Sequence, residues 1–308
     1  MATSVLAQET LCALRTEINR LENEKTSTLG RKARHGEGWQ SPETIPNLIR
    51  TGAEPFDHAL GGGIERGALH EIRSAESRDN GAASAFALAL ALMAVRQGRA
   101  GSGARILWIA DRLQANETGR PYGPGLVGFG MKPGGMVHAT PRNLTDALMI
   151  AEMALTVDAF AAVILEVNGN PRGLGLTESR RLHLRARAYR RPLLLLRERG
   201  EEEASSALLR FRATPARAAP CRLPDGTSFA ASIGPPVFRI DIEKSRTPIF
   251  ESFFLEWNAD DCLLSRSEPD PVFHTGANPP AGVALSASGD RPDRPGTMGT
   301  ILAFDRAS

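Results

Sequence analysis

Ten residues, S-A-E-S-R-D-N-G-A-A from Ser74 to Ala83, lie between an apolar pentapeptide and a long alanine-rich run. In a chain of this layout, such a segment would cradle phosphate. The pattern G-x-x-x-x-G-K-[ST] uses glycines so that backbone N–H groups wrap the phosphates, a lysine for the outer phosphates and a hydroxyl for magnesium. Here Ser74 stands where the first glycine belongs, and Gly81 is followed by Ala82 and Ala83. Two extra residues lengthen the loop. Between Lys25 and Lys132 the only lysine is Lys32, well ahead of the glycine cluster Gly61 to Gly63. A lysine–phosphate contact is worth roughly 1.5–3 kcal/mol, so losing it together with a metal ligand weakens nucleotide binding about a hundredfold or more. The layout is that of a nucleotide loop without its chemistry, and no cofactor is expected.

The remaining candidates are weaker. In a nucleotide hydrolase an acidic residue ends a core strand and helps hold the metal. Glu166 ends A-A-V-I-L-E-V and occupies that vestigial position, where an ordinary strand-end acid is the simpler expectation. After R-I-L-W-I-A come Asp111 and Arg112, with no glutamate before Glu117. The six histidines have no metal-ligand spacing, and neither a G-x-S-x-G elbow nor a CxxC pair occurs. Catalytic and metal-binding residues are therefore expected to be absent, and His70 is expected to make a structural hydrogen bond. The loop after P-L-L-L-L-R carries Glu201, Glu202 and Glu203 in a row, too acidic to grip a DNA strand. Six arginines from Arg180 to Arg191 crowd one helical segment. A solvated face, a protein-partner surface and a DNA contact all remain open for them, and Arg180, Arg181 and Arg185 are the candidate partner-binding residues.

Stepping outward, the chain of 308 residues is 42% hydrophobic and carries a formal charge of +2. That suffices for one large α/β core and is too mild for a dedicated nucleic-acid binder. Three scattered cysteines, Cys12, Cys221 and Cys262, suggest no disulfide framework, and the most apolar stretch, Ala82 to Val95, is shorter than a membrane span. A cytoplasmic protein without membrane contact is expected. Residues 1–24 read as an amphipathic helix with Leu11, Leu14, Ile18 and Leu21 on one face. Residues 25–46 read as a linker, 47–258 as the core and 259–308 as a flexible Pro/Gly-rich tail interrupted by Ile301, Leu302 and Phe304. Within the core, buried strands are expected at 105–110, 161–167 and 192–197. Asn143 caps a helix with Leu144, Leu148, Ala151 and Leu155 inward, and Thr177 caps another with Leu182, Ala186 and Tyr189 inward. A loop containing at most a short helix near Leu126 fills 111–132. Strand–helix alternation implies a mainly parallel, doubly wound sheet, and the short strands after Ala207 imply an antiparallel edge.

Particular residues then bring a family into view. Thr51 and Gly52, followed by F-D-H-A-L-G-G-G-I-E-R-G-A-L-H-E-I from Phe56, resemble the entry to the RecA ATPase core. R-I-D-I-E-K-S-R-T-P-I-F-E-S-F-F-L-E-W from Arg239 is similar to that core's closing hairpin. The L-x-x-L-R-x-x-I-x-x-L-E helix at Leu11 to Glu22, E-S-R-R-L-H-L-R-A-R-A-Y-R-R-P-L-L-L-L-R-E and the alanine-filled loop narrow the likeness to the ImuA family, which also carries SulA-like annotation. The resemblance implies a RecA-like fold and a non-catalytic adaptor in damage-induced, error-prone translesion synthesis. Its implied partners are the Y-family polymerase-like protein ImuB and an error-prone replicative-type polymerase, with a possible RecA contact and only indirect or weak DNA contact. An atypical RecA-like ATPase or recombination mediator, and a SulA-type cell-division inhibitor, are the alternatives. The N-terminal helix and the Ile301, Leu302 and Phe304 cluster are the expected docking elements.

Overall fold

The computed structural model describes residues 47–98, 104–117, 119–221, 223, 227, 229, 232–246 and 251–267. The expected N-terminal helix with Leu11, Leu14, Ile18 and Leu21, the linker, and Ile301, Leu302 and Phe304 lie outside the described residues. Asn47–Arg96 and the described residues from Ala104 onward make one compact unit.

Its strands are β1 (Leu48–Ile49), β2 (Ile64–Glu65), β3 (Leu69–Arg73), β4 (Arg105–Ala110), β5 (Met136–Ala139), β6 (Phe160–Asn168), β7 (Leu193–Glu198), β8 (Leu209–Ala216), β9 (Val237–Lys244), β10 (Ser252–Asn258) and β11 (Leu263–Arg266). Its helices are α1 (Glu54–Ala59), α2 (Asn80–Arg96), α3 (Arg112–Glu117), α4 (Gly123–Gly128), α5 (Leu144–Ala154) and α6 (Leu176–Tyr189). Nine strands form one sheet in the order β11-β10-β9-β8-β3-β7-β6-β4-β5. From β8 to β5 every neighbour is parallel, and β9, β10 and β11 are added antiparallel. This matches the mainly parallel α/β sheet expected from the sequence, with its antiparallel edge at the C-terminal end.

Both faces are covered, which is why the central strands read as unbroken apolar runs. On one face α2 packs with Ala82, Ala83 and Phe86 to Ala94 all buried, so its central turns are apolar all round and lie inside the molecule. Phe86 meets Phe211 of β8 edge-on at a centroid distance of 5.6 Å, and Phe56 of α1 meets Phe253 of β10 at 5.1 Å. On the other face α5 contributes Ala147, Leu148 and Ala151, and α6 contributes Leu182 and Ala186.

The entry motif has a local physical basis. The Asp57 carboxylate accepts from Thr51 N at 2.9 Å and from the Thr51 hydroxyl at 2.8 Å. Gly52 has φ +95°, and a Cβ there would sit 2.9 Å from the Leu264 carbonyl oxygen. Thr51 O in turn accepts from Leu264 N at 2.7 Å. That contact corrects the expected boundary at 258. Cys262 and Leu264 are buried, and β11 pairs with β10, so the core runs on to residue 266.

Three smaller expectations are also corrected. Thr177 does not cap α6. Gly175 is the N-cap, and its N–H donates to the Glu178 carboxylate at 2.9 Å, because a glutamate three residues in can reach back to the cap. Tyr189 is 44% exposed, and the inward face is Ser179, Leu182 and Ala186. The segment after β4 holds α3 as well as α4, and β5 follows it as a strand that the sequence reading did not include. Asn143 caps α5 as expected, its side-chain oxygen accepting from Asp146 N at 2.9 Å.

Candidate functional site

The loop between β3 and α2 is where a phosphate would be held. β3 delivers Ser74 into a fully buried position, a short 3-10 turn covers Ser77–Asp79, and α2 begins at Asn80. The Ser74 hydroxyl donates to Asn80 Oδ1 at 2.6 Å and accepts from Arg199 N at 3.0 Å, while Ser74 N donates to Arg197 O at 3.1 Å. The loop is thus closed on itself and onto β7 by its own polar groups. A phosphate nest needs successive N–H groups turned inward by alternating right- and left-handed residues. No residue from Ser74 to Ala83 has a positive φ. Ala82 and Ala83 are 8% and 0% exposed, packed in the core cluster where a lysine and a hydroxyl would have to emerge.

Glu166 lies near the end of β6, beside Ala110 of β4. Its carboxylate is buried and accepts from the Trp108 indole N–H at 2.6 Å. Trp108 pairs across the sheet with His138 of β5, whose imidazole is pushed below its ordinary range by burial, against the opposing pull of Glu166. The acid at the position the sequence singled out is therefore held by an indole of the neighbouring strand. Asp111 and Arg112 open the segment into α3 just beyond Ala110. Among the described residues, no group of three or more His, Cys, Asp or Glu is arranged to hold a metal ion.

The dominant electrostatic feature is one that sequence reasoning missed. Glu71, in the middle of β3, has no exposed surface. Its Oε1 lies 2.8 Å from Arg197 Nε of β7, and its Oε2 lies 3.2 Å from Arg210 Nη2 of β8. The Ser205 hydroxyl donates to the same Oε2 at 2.8 Å. The Arg197 contact has ion-pair distance without hydrogen-bond alignment, since neither Arg197 Nε nor Glu71 Oε1 has a hydrogen-bond partner. Arg210 also reaches Glu202 at 3.4 Å and the Glu203 carbonyl, and Arg197 reaches the Glu203 carboxylate at 3.8 Å. Hence two of the three glutamates in the acidic loop are tied to arginines beneath it. Asn170, in the loop after β6, exchanges two hydrogen bonds with the Glu201 backbone at 3.0 and 3.1 Å and donates to Glu203. The two loops at this end of the sheet are latched together. The only sequence signal was the presence of a charge inside three apolar strands.

Of the candidate arginines on α6, Arg181 and Arg185 both pair with Glu152 of α5, at 3.0 and 2.9 Å, while Arg180 is exposed. Ser74, Gly81, Ala82 and Ala83 are brought together at one loop, Glu166 lies two strands away from β3, and the arginine trio sits on a helix against the opposite sheet face. His70 makes the structural bond expected of it, Nε2 donating to Glu65 O at 2.7 Å. A cleft of about 430 Å³ lies beside the loop, lined by Arg78, Asp79, Arg212, Arg239 and Asp241 among others, and its walls pair internally through Arg212 and Asp241 at 2.7 Å.

No family model matches the chain, and no curated protein matches it. Among solved structures it is similar to the RadB recombinase, at 16% identity over 72% of this chain and 100% of that one, with a TM-score of 0.46. Among the described residues, no helix is long and apolar enough to cross a membrane.

The buried cluster makes a quantitative prediction. Arg197→Met strands part of the charge of Glu71 in the core and costs about 3–5 kcal/mol of unfolding free energy in urea titration. The triple variant Glu71→Leu, Arg197→Met, Arg210→Met recovers most of that loss, because no charge is then left uncompensated. A triple variant as unstable as the single one contradicts the assignment.

A second prediction concerns acid. Burial lowers the pKa of His70 from 6.5 to about 4. The unfolded chain takes up a proton near its ordinary pKa and the native imidazole does not. The contribution is therefore complete above the unfolded pKa and is lost as pH falls toward the native one. Between about pH 7 and about pH 4.5 wild type should lose about 2 kcal/mol more stability than His70→Gln. Equal losses in paired urea titrations contradict this.

Proposed function

We propose that this chain is a non-catalytic RecA-like adaptor of a damage-induced mutasome, an ImuA-type protein supporting error-prone translesion DNA synthesis through protein–protein contacts. The observation that carries the reading is the loop between β3 and α2, where the Ser74 hydroxyl donates to Asn80 Oδ1 within the loop itself. The absence of a lysine from the loop and the burial of Ala82 and Ala83 support it from the sequence and from packing. So does Glu166, whose carboxylate is engaged by Trp108. The acidic, latched loops after β6 and β7 speak against strand exchange, since a DNA-gripping loop needs positive charge and freedom to move. What the fold offers is an α/β body with exposed side chains on the helices α5 and α6 of one face. ImuB and an error-prone replicative-type polymerase are the partners this reading supplies, from the family resemblance of the sequence.

The test is affinity purification of the tagged full-length chain from cells after DNA damage. A polymerase-like protein and a replicative-type polymerase should co-purify to the same extent with ATP present or removed enzymatically. Recovery of neither polymerase, or recovery only with ATP, overturns the adaptor reading. An ATP requirement would favour a recombination mediator, and recovery of a division protein alone would favour a cell-division inhibitor.

A further inference from the structure

Helices α5 and α6 lie side by side on one face of the sheet, and their outer surface is unusual in composition. Met149 and Met153, one turn apart on α5, are 53% and 62% exposed, and Leu184 on α6 is 51% exposed. Residues three and four apart share a helix face. Met149 and Met153 therefore share one stripe of α5 beside Glu152, and Leu184 lies between Arg180 and Arg181 on the outer face of α6. Glu152 joins the stripes by pairing with both arginines, so the methionines and Leu184 border one bridged seam. Around this seam positive charge is in excess. From Leu176 to Arg191 stand six arginines and one carboxylate, Glu178, and from the α5 side Glu152 pairs with Arg181 and Arg185 and Asp158 with Arg191. Arg180, one turn before Leu184, is exposed.

We propose that the α5–α6 face docks an acidic amphipathic helix from a partner protein. This deepens the adaptor reading, and rests on it, by naming a surface and the chemistry that fits it. Flexible thioethers at Met149 and Met153 adapt to the apolar ridge of an incoming helix, as methionines do at surfaces that accept varied sequences. Carboxylates flanking that ridge meet Arg180 and share the guanidinium groups of Arg181 and Arg185 from the side away from Glu152. Nucleic acid fits less well, because the exposed thioethers and Leu184 have no use for phosphate, whereas an apolar centre rimmed by arginine is a composition typical of protein interfaces.

The experiment uses the full-length protein and two labelled synthetic helices of about five turns, each with leucines on one face. One carries glutamates and the other lysines on the remaining positions, and binding is followed by fluorescence anisotropy. The glutamate helix should bind and the lysine helix should not. Met153→Glu should weaken the glutamate helix about tenfold or more. Arg180→Glu should weaken it as well while improving the lysine helix, a reversal that a merely structural change would not produce. Circular dichroism confirms that both variants are folded, since both positions are exposed. No binding of the glutamate helix, or binding unaffected by both substitutions, overturns the proposal. Tighter binding of a single-stranded oligonucleotide, with the same dependence on Arg180 and Met153, also overturns it. Binding of the glutamate helix in a protein that recovers no polymerase from damaged cells would leave this face standing and defeat the adaptor reading alone.

Discussion

The end of the sheet that carries the loops after β3, β6 and β7 depends on keeping one buried carboxylate in balance. Glu71 sits in the central strand of a parallel sheet with no solvent contact, and two arginines from the strands on either side of it supply the opposite charge. An uncompensated charge there would be intolerable, so β3, β7 and β8 are locked in the register that brings all three together. The excess positive charge is then passed outward. Arg197 and Arg210 draw Glu202 and Glu203 down over the strand ends, and Asn170 ties the neighbouring loop to the same segment. The acidic triplet that the sequence shows as a charge run after β7 is partly the outer shell of a buried ion network.

The same end of the sheet shows how a ligand site can be internally satisfied. A buried polar group must find a partner, and a loop built for phosphate leaves its donors waiting for one. Here Ser74 takes Asn80 and Arg199 as partners, and Glu166 takes Trp108, so the groups nearest the expected phosphate and metal positions are engaged within the protein. Packing then reinforces chemistry. α2 is buried from Phe86 to Ala94 and places Ala82 and Ala83 of its first turn in the core, so the helix that in a nucleotide hydrolase would carry the phosphate here helps to hold the fold.

Much of this was legible in the residues, and the failures have physical causes. The runs R-I-L-W-I-A, A-A-V-I-L-E-V and P-L-L-L-L-R marked strands because both faces of the sheet are covered, and Asn143 with Asp146 marked a helix start by capping chemistry. The degenerate loop was visible because its requirement is for residue types at fixed spacing. β5 was missed because it is a short, half-exposed strand at the sheet edge with neither an apolar run nor clear alternation. β11 was missed because a polar turn hides two buried residues whose contact with Thr51 spans more than two hundred positions. The Glu71 cluster was invisible because its partners lie 126 and 139 residues away, and nothing local distinguishes a strand arginine that is buried from one that is not. The Glu152 bridge, which decides how two candidate arginines are presented, was hidden for the same reason.

The central claim is that this scaffold stands without nucleotide. Any ligand that binds the native chain and not the unfolded one raises its melting temperature, by the equivalent of about 2.7 kcal/mol at a hundredfold excess over its dissociation constant. Melting of the full-length protein should therefore be followed with and without millimolar ATP and magnesium. Superimposable curves are the result the self-closed loop predicts. A reproducible upward shift with ATP, absent with magnesium alone, would contradict it.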